Sequence, residues 1–390
     1  MTSPDAIVVG AGVSGLACAR RLREAGLSTL VLEASDGVGG RVRTDEVDGF
    51  RLDRGFQVLP TAYPEARAIL DYERLRLRPF ERGAVVRSNG RFRRIADPRR
   101  SPLVALRALG SRLVSPRDAL PMVRLLRGGD EETTTREALE ASGVSPALAD
   151  SFLAPFLRGI FLERELSTSR RFLDFVLEAF SAGPAAVPER GMGEIAEQLA
   201  EGTDVRLGAS VAAVSPGTVG LADGEELGAR TVVVAAAGLV DDAPAGWNGV
   251  TCLYFDAPEP PLPGAWLVLD GEGDGPVNNL SVLTEVSPAY GPPGRALVSA
   301  SVLGTDEPDE EAVRRQIAGW FGATVRDWRL LRTYPIEHAL PAWPAGTSFE
   351  QPPRAGEGLY VCGDHRAHPS LNGALASGRL AAEAVLTDLA

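Results

Sequence analysis

The chain has 390 residues, 44% apolar and 24% charged, with a formal charge of −12; it is long enough for two units around a sizeable core and lacks the cationic field that would make nucleic acid a bulk partner. No apolar run approaches the ~20 residues of a bilayer crossing, strand-like sequence starts at Ala6 without room for a leader, and three scattered cysteines, Cys18, Cys252 and Cys362, form no CxxC pair or disulfide framework, so a cytoplasmic protein without a membrane span is expected. All 40 basic residues are arginines, which excludes any mechanism that needs a Schiff-base amine or a tuned lysine base.

In chain order, residues 6–10 are a β-branched run ending in glycines. Residues 13–25 carry helical apolar spacing through Leu16, Ala19 and Leu22, stopped by Gly26, and residues 28–33 form a second apolar strand. This β-α-β opening of about 30 residues has the size of a dinucleotide-binding unit. Residues 37–60 read as loop and short strands. From residue 98 to 180 the pattern is helical and arginine-rich, an inserted region with breaks at Pro116, Pro121, the acidic run from Asp130 and Pro146. A helix at 194–201 and strands at 205–207, 210–214 and 231–236 return to the opening pattern. Residues 250–335 alternate short strands with proline-rich turns, as in an antiparallel sheet of a second domain. The chain closes with a strand at 358–362, a loop, and a helix over 372–389.

Gly10-Ala-Gly12-Val13-Ser14-Gly15 is a G-x-G-x-x-G pattern with a strand before it and a helix after it. The first glycine permits a tight turn, the second lets the backbone approach a pyrophosphate, and the third allows helix and strand to pack closely. The helix start offers free N–H groups and positive potential to the phosphates. Glu33 ends the second strand, 18 residues past Gly15, where a carboxylate accepts hydrogen bonds from a ribose diol, with Ala34 beside it.

Glu33-Ala-Ser-Asp-Gly-Val-Gly39-Gly40-Arg41-Val-Arg43-Thr44 resembles the second glycine motif of the flavin-containing amine oxidase and phytoene desaturase superfamily, a GGRxxT segment that wraps the FAD pyrophosphate. Leu52-Asp-Arg-Gly55-Phe56-Gln57-Val58-Leu59 resembles the superfamily segment that passes beside the isoalloxazine ring, with Gln57 either on the substrate side or an amide in a structural turn. Tyr360-Val-Cys-Gly363-Asp364 and Ser370-Leu371-Asn372-Gly373-Ala374-Leu-Ala-Ser-Gly378 resemble its C-terminal signature. The resemblance implies that Asp364 holds a ribityl hydroxyl, that the final helix points its N–H groups at the pyrimidine edge of the flavin, and that the strand containing Val211 contacts adenine. It also implies that Ala374 and Gly378 let the final helix lie close against the sheet.

The chain departs from the superfamily's amine oxidases. It has no lysine to hold a water near flavin N5, and the loop His365-Arg-Ala-His368-Pro-Ser370 lacks both the usual aromatic wall and a cysteine for a thioether link. Non-covalent FAD is therefore expected. His365 and His368 read as local hydrogen-bonding residues or as neutral bases over the flavin, His338 as structural, and no metal site is expected. The run 52–59 and Ala339-Leu-Pro341 resemble the carotene and squalene-type desaturases of the superfamily. The apolar stretch 152–162 reads as core or, for an isoprenoid substrate, as a tunnel wall or a surface that touches a membrane.

The expected fold class is α/β, with a Rossmann-type FAD-binding domain from residues 1–85, 186–249 and 346–390. A substrate domain from 86–185 and 250–345 combines the helical insertion with antiparallel sheet. The expected activity is hydride transfer from a substrate C–H bond to flavin N5, with a small apolar, isoprenoid-like substrate first, an amine second, and a non-redox prenyl-binding escort third.

Overall fold

The computed structural model describes residues 3–96, 113–129, 132–306, 308–349 and 351–390. The first part of the inserted region and the start of the acidic run at Asp130 lie outside the described residues.

Strand β1 (Ala6–Val9) and strand β2 (Thr29–Leu32) run parallel around helix α1 (Val13–Glu24), as the alternation of short apolar runs and helical spacing requires. Among the described residues a six-stranded sheet forms in the order 204–206, β2, β1, 231–234, 359–361, 354–356. Its two central strands, β1 and Thr231–Val234, are fully buried and rich in β-branched residues, the composition of a parallel sheet covered on both faces. Three distant parts of the sequence thus close one sheet. Helix α1 and the C-terminal helix Leu371–Leu389 cross one face. The three-stranded meander Val211–Ser215, Thr218–Leu221 and Glu226–Gly228 packs on the other.

A seven-stranded sheet makes the second layer, in the order 329–341, 247–257, 296–303, 277–282, 267–270, 83–88, 91–96. Two strands, Trp247–Ala257 and Arg329–Pro341, are long where short ones are expected, each with bulges that keep the pairing continuous. The sheet is also not wholly antiparallel, because Leu267–Asp270 runs parallel to Gly83–Ser88.

The inserted region supplies the helices Ala119–Leu126, Thr135–Ser142, Ala154–Phe161 and Arg170–Ala182 around a separate apolar core. The prolines expected to break it mostly start helices instead. Pro116 and Pro146 open helical turns and Pro121 sits in the first turn of Ala119–Leu126, where no intrahelical N–H is needed.

Candidate active site

Where β1 meets α1, Gly10 has φ +103°, and a Cβ there would lie 2.9 Å from the Ala235 carbonyl oxygen. A Cβ on Gly15 would lie 2.1 Å from the Gly10 carbonyl oxygen. Both glycines are explained by the protein's own packing. Gly12 is not: a Cβ there meets nothing within 4 Å, yet the residue lines a cavity and begins α1, whose first turn no side chain caps. Missing bulk toward open space, beside the unpaired N–H groups of a helix start, fits a pyrophosphate. Gly39 donates its N–H to the Ala11 carbonyl at 2.8 Å, and Gly40 (φ +58°) stacks on Gly12. Val13 and Ser14 also line this end.

Glu33 fixes the shape of the loop above it. One carboxylate oxygen accepts from the Ala11 N–H at 2.8 Å, and the other accepts from the Ser35 N–H at 2.9 Å and the Ser35 hydroxyl at 2.7 Å. It lines the cavity as well. Ala34 is exposed and Val211 half-buried in the meander, and neither faces the cavity.

Arg41 and Asp364, 323 residues apart, form one ion pair at 2.6 Å across the cavity wall. The other arm of the Arg41 fork donates to the Ala339 carbonyl at 3.0 Å, and its guanidinium lies 5.5 Å from the Trp247 ring centre. Gly55, Phe56, Gln57 and Val58 line the same wall. The Gln57 amide donates to the carbonyls of Arg41 at 2.8 Å and Arg54 at 3.0 Å, so its nitrogen closes a turn.

Asp53, next to this wall, is 1% exposed and accepts from the Thr44 hydroxyl at 2.6 Å, the Met192 N–H at 2.8 Å and the Tyr290 hydroxyl at 2.7 Å. Its carbonyl accepts from the Tyr254 hydroxyl at 2.8 Å. Burial pushes its carboxyl up to about 6, against those donors. Asp53 therefore joins the hairpin of residues 44–53, the start of helix Gly193–Ala200 and the seven-stranded sheet. No local pattern announces this role, since its two tyrosines lie more than 200 residues away.

At the C-terminal end, Gly363, Asp364, Leu371 and Ala374 face the cavity, and Ser370 caps the final helix by accepting from the Gly373 N–H at 3.1 Å. Asn372 turns away and accepts from the Glu65 N–H at 2.9 Å. Gly378 lies against α1 rather than the sheet: a Cβ there would sit 2.2 Å from the Ser14 carbonyl oxygen.

The two histidines of the preceding loop separate. His365 lines the cavity and pairs with Asp242 at 2.8 Å. His368 lies off the cavity, bonded to the Ser370 hydroxyl at 2.9 Å with its ring 4.2 Å from Phe175 and 5.0 Å from Phe349. Burial lowers it to about 4, so it is neutral at physiological pH.

The cavity measures about 1280 Å³, above the ~300–1,000 Å³ of a drug-sized pocket. Beyond the glycine end it extends into the inserted helices along Met122, Leu148, Phe152, Phe156, Ile160 and Phe180. The stretch 152–162 serves two surfaces, because Leu157 and Phe161 point into the helical core while Phe152, Phe156 and Ile160 face the cavity. The Asp118 carboxylate in this arm is occupied by Ser115 and Ser145. Among the described residues no group of three His, Cys, Asp or Glu could hold a metal, and no helix is long and apolar enough to cross a membrane.

A glycine-lined helix start joined to an apolar chamber suits a dinucleotide beside an apolar substrate, and comparison with known proteins names the family. The family described as flavin containing amine oxidoreductase matches residues 13–386, and this chain belongs to it. It is a flavin-dependent oxidoreductase. Protoporphyrinogen oxidase 2 of Arabidopsis thaliana is 45% identical over 64 residues, 16% of this chain and 13% of that protein. Putrescine oxidase of Kocuria rosea is 46% identical over 67 residues, 17% of this chain and 14% of that protein. These matches span a small part of either relative. An oxidoreductase from Methanosarcina mazei shares the fold over 98% of this chain and 99% of its own, with a TM-score of 0.74 at 18% identity.

Proposed function

We propose that this enzyme oxidises a C–H bond of a small apolar, isoprenoid-like substrate, with FAD bound non-covalently. The observation that supports this substrate class is the aromatic and aliphatic arm of the cavity, which runs from the phosphate-binding glycines into the inserted helices. Bound flavin supplies the hydride acceptor at N5.

In this reading the chain binds, orients and keeps dry. The amides at the start of α1 and the backbone at Gly39 and Gly40 hold the pyrophosphate, and Glu33 holds the adenosine ribose from the loop it braces. Asp364, anchored by Arg41, takes a ribityl hydroxyl. Residues 55–58 and the start of the final helix at Leu371 and Ala374 frame the ring. Phe152, Phe156 and Phe180 exclude water and align the substrate. The segments 1–85, 186–249 and 346–390 act as the cofactor domain, the remainder as the substrate domain. Three free, buried cysteines support a reducing, cytoplasmic setting.

The matched putrescine oxidase motivates amine oxidation as a second reading. Against it, the chain has no lysine, and the buried carboxylate in the arm is already satisfied. The test has two parts. Acid denaturation of the yellow protein is expected to release free FAD, and flavin retained on the polypeptide would contradict non-covalent binding. A polyene is expected to bind the holoprotein and to lose affinity in Phe156→Arg; indifference to that change would move the substrate elsewhere.

A further inference from the structure

Six phenylalanines line the cavity, Phe56, Phe80, Phe152, Phe156, Phe172 and Phe180, and Tyr63 is the one tyrosine among the described lining residues. It is 6% exposed, and its ring stacks on Phe175 at 5.5 Å, a packing that a phenylalanine would serve equally well. The hydroxyl is what distinguishes it. It hydrogen-bonds with the hydroxyl of Ser370, which lines the cavity as well. Burial raises the phenol well above its ordinary value, so Tyr63 is neutral and keeps its proton.

Ser370 has two further partners. Its oxygen accepts from the Gly373 N–H at 3.1 Å and lies 2.9 Å from Nδ1 of His368. A hydroxyl carries one proton and two acceptor positions. With one position held by Gly373, the Ser370 proton goes to either Tyr63 or His368, and the other of these two donates to the remaining position. His368 is neutral at physiological pH, and each of its tautomers completes one such chain. Directed toward Tyr63, the chain leaves the phenol proton to donate into the cavity; directed toward His368, it leaves the phenol oxygen to accept. A neutral alcohol, which both donates and accepts, fits either direction. A carbonyl fits only one, and an ammonium ion meets carboxylates already paired, since Asp364 holds Arg41 and Glu65 holds Arg379.

We propose that Tyr63 is a specificity-determining residue for an apolar substrate that carries a hydroxyl group, and that Ser370 and His368 position its phenol. This rests on the apolar-substrate reading and narrows it to apolar alcohols. A few convergent polar groups in an otherwise apolar pocket are what fix the orientation of a ligand. The oxygen-bearing end lies beside the start of the final helix, at Leu371 and Ala374, and the apolar remainder runs along Phe152 and Phe156.

The test titrates the holoprotein, in one detergent, with farnesol, farnesene and farnesylamine, three probes with closely matched apolar chains, and follows the perturbation of the flavin absorbance. The wild type is expected to bind farnesol more tightly than farnesene. Tyr63→Phe should lower the farnesol-to-farnesene affinity ratio by about threefold to tenfold, the worth of one neutral hydrogen bond, with the affinity for farnesene unchanged. Ser370→Ala, which removes the partner of the phenol, should lower the same ratio. Retained flavin absorbance shows that a variant is folded, and Ser370→Ala carries the test if Tyr63→Phe loses its flavin. An unchanged ratio in a folded variant would overturn the role of Tyr63, while binding of farnesene would still uphold the apolar-substrate reading. Tightest binding by farnesylamine, or binding by none of the three, would overturn both.

Discussion

At the glycine end of the cavity the backbone forms the surface: Gly12 and Gly40 present bare chain, and Glu33 holds the loop through its carboxylate. In the far arm side chains form it, with Phe152, Phe156 and Phe180 in ring-to-ring contact at 5.9 Å and 5.4 Å. Backbone surfaces tolerate almost no substitution, because a Cβ at Gly12 would fill the open space a pyrophosphate needs and one at Gly40 would press on Gly12, whereas a wall of rings can be repacked at modest cost. The cofactor end should therefore be the constant part of such an enzyme and the arm the part that selects substrate.

The sharpest way to break this contrast is Gly378→Val. Its side chain would press on the Ser14 carbonyl at the crossing of α1 and the final helix, and a loss of stability above about 3 kcal/mol, with loss of FAD binding, is expected in denaturant melts. A variant as stable as the wild type would mean that the two helices are not held by this contact.

Glu33→Ala should weaken FAD binding by about 1 to 3 kcal/mol, because it leaves the Ala11 and Ser35 donors without their acceptor and removes the proposed ribose ligand. Fluorescence titration of the apoprotein measures it. Binding of a polyene to the holoprotein should not follow.

Acidity separates two buried groups with opposite signs. Asp53 lies raised at about 6, so its contribution to stability is complete below the ordinary carboxylate range and is lost as pH rises through 6. His368 lies lowered at about 4, so its contribution is present above the ordinary imidazole range and is lost as pH falls through 4. Between pH 4 and 7 the stability of Asp53→Asn relative to wild type should rise by about 1 to 3 kcal/mol, and that of His368→Gln should fall. Urea melts at several pH values decide it, and flat differences would show that neither group titrates as its burial requires.

The smallest expected change is at the arm. Phe156→Ala should cost an apolar ligand about 1 kcal/mol of affinity, the value of the ring contact removed from it, with FAD binding unchanged. An equal loss of FAD affinity would erase the distinction between the two ends.

The legible and illegible parts of the molecule divide along the same line. The glycine loop, Glu33, the paired glycines before Arg41 and the closing helix stand out in the sequence, because backbone approach restricts residue type over short spacings. The inserted helices are legible as helical, yet Pro121 sits in the first turn of a helix it is expected to break, since that turn needs no N–H from it. Gly378 looked like a contact with the sheet and is a contact with α1, a choice that helix crossing makes and local spacing does not. Gln57 was equally readable as a substrate contact or a turn, and its amide nitrogen spans two carbonyls. The ties of Asp53 to Tyr254 and Tyr290 and of His365 to Asp242 depend on long-range folding and leave no local pattern.

The central claim is that an apolar C–H donor, rather than an amine, reduces the flavin. Anaerobic stopped-flow absorbance of the holoenzyme, mixed in turn with a polyene in micelles and with a monoamine or polyamine, tests it most directly. The account predicts bleaching of the flavin band by the polyene and none at a useful rate by the amines. Rapid bleaching by an amine with none by the polyene would contradict it and transfer the enzyme to amine oxidation.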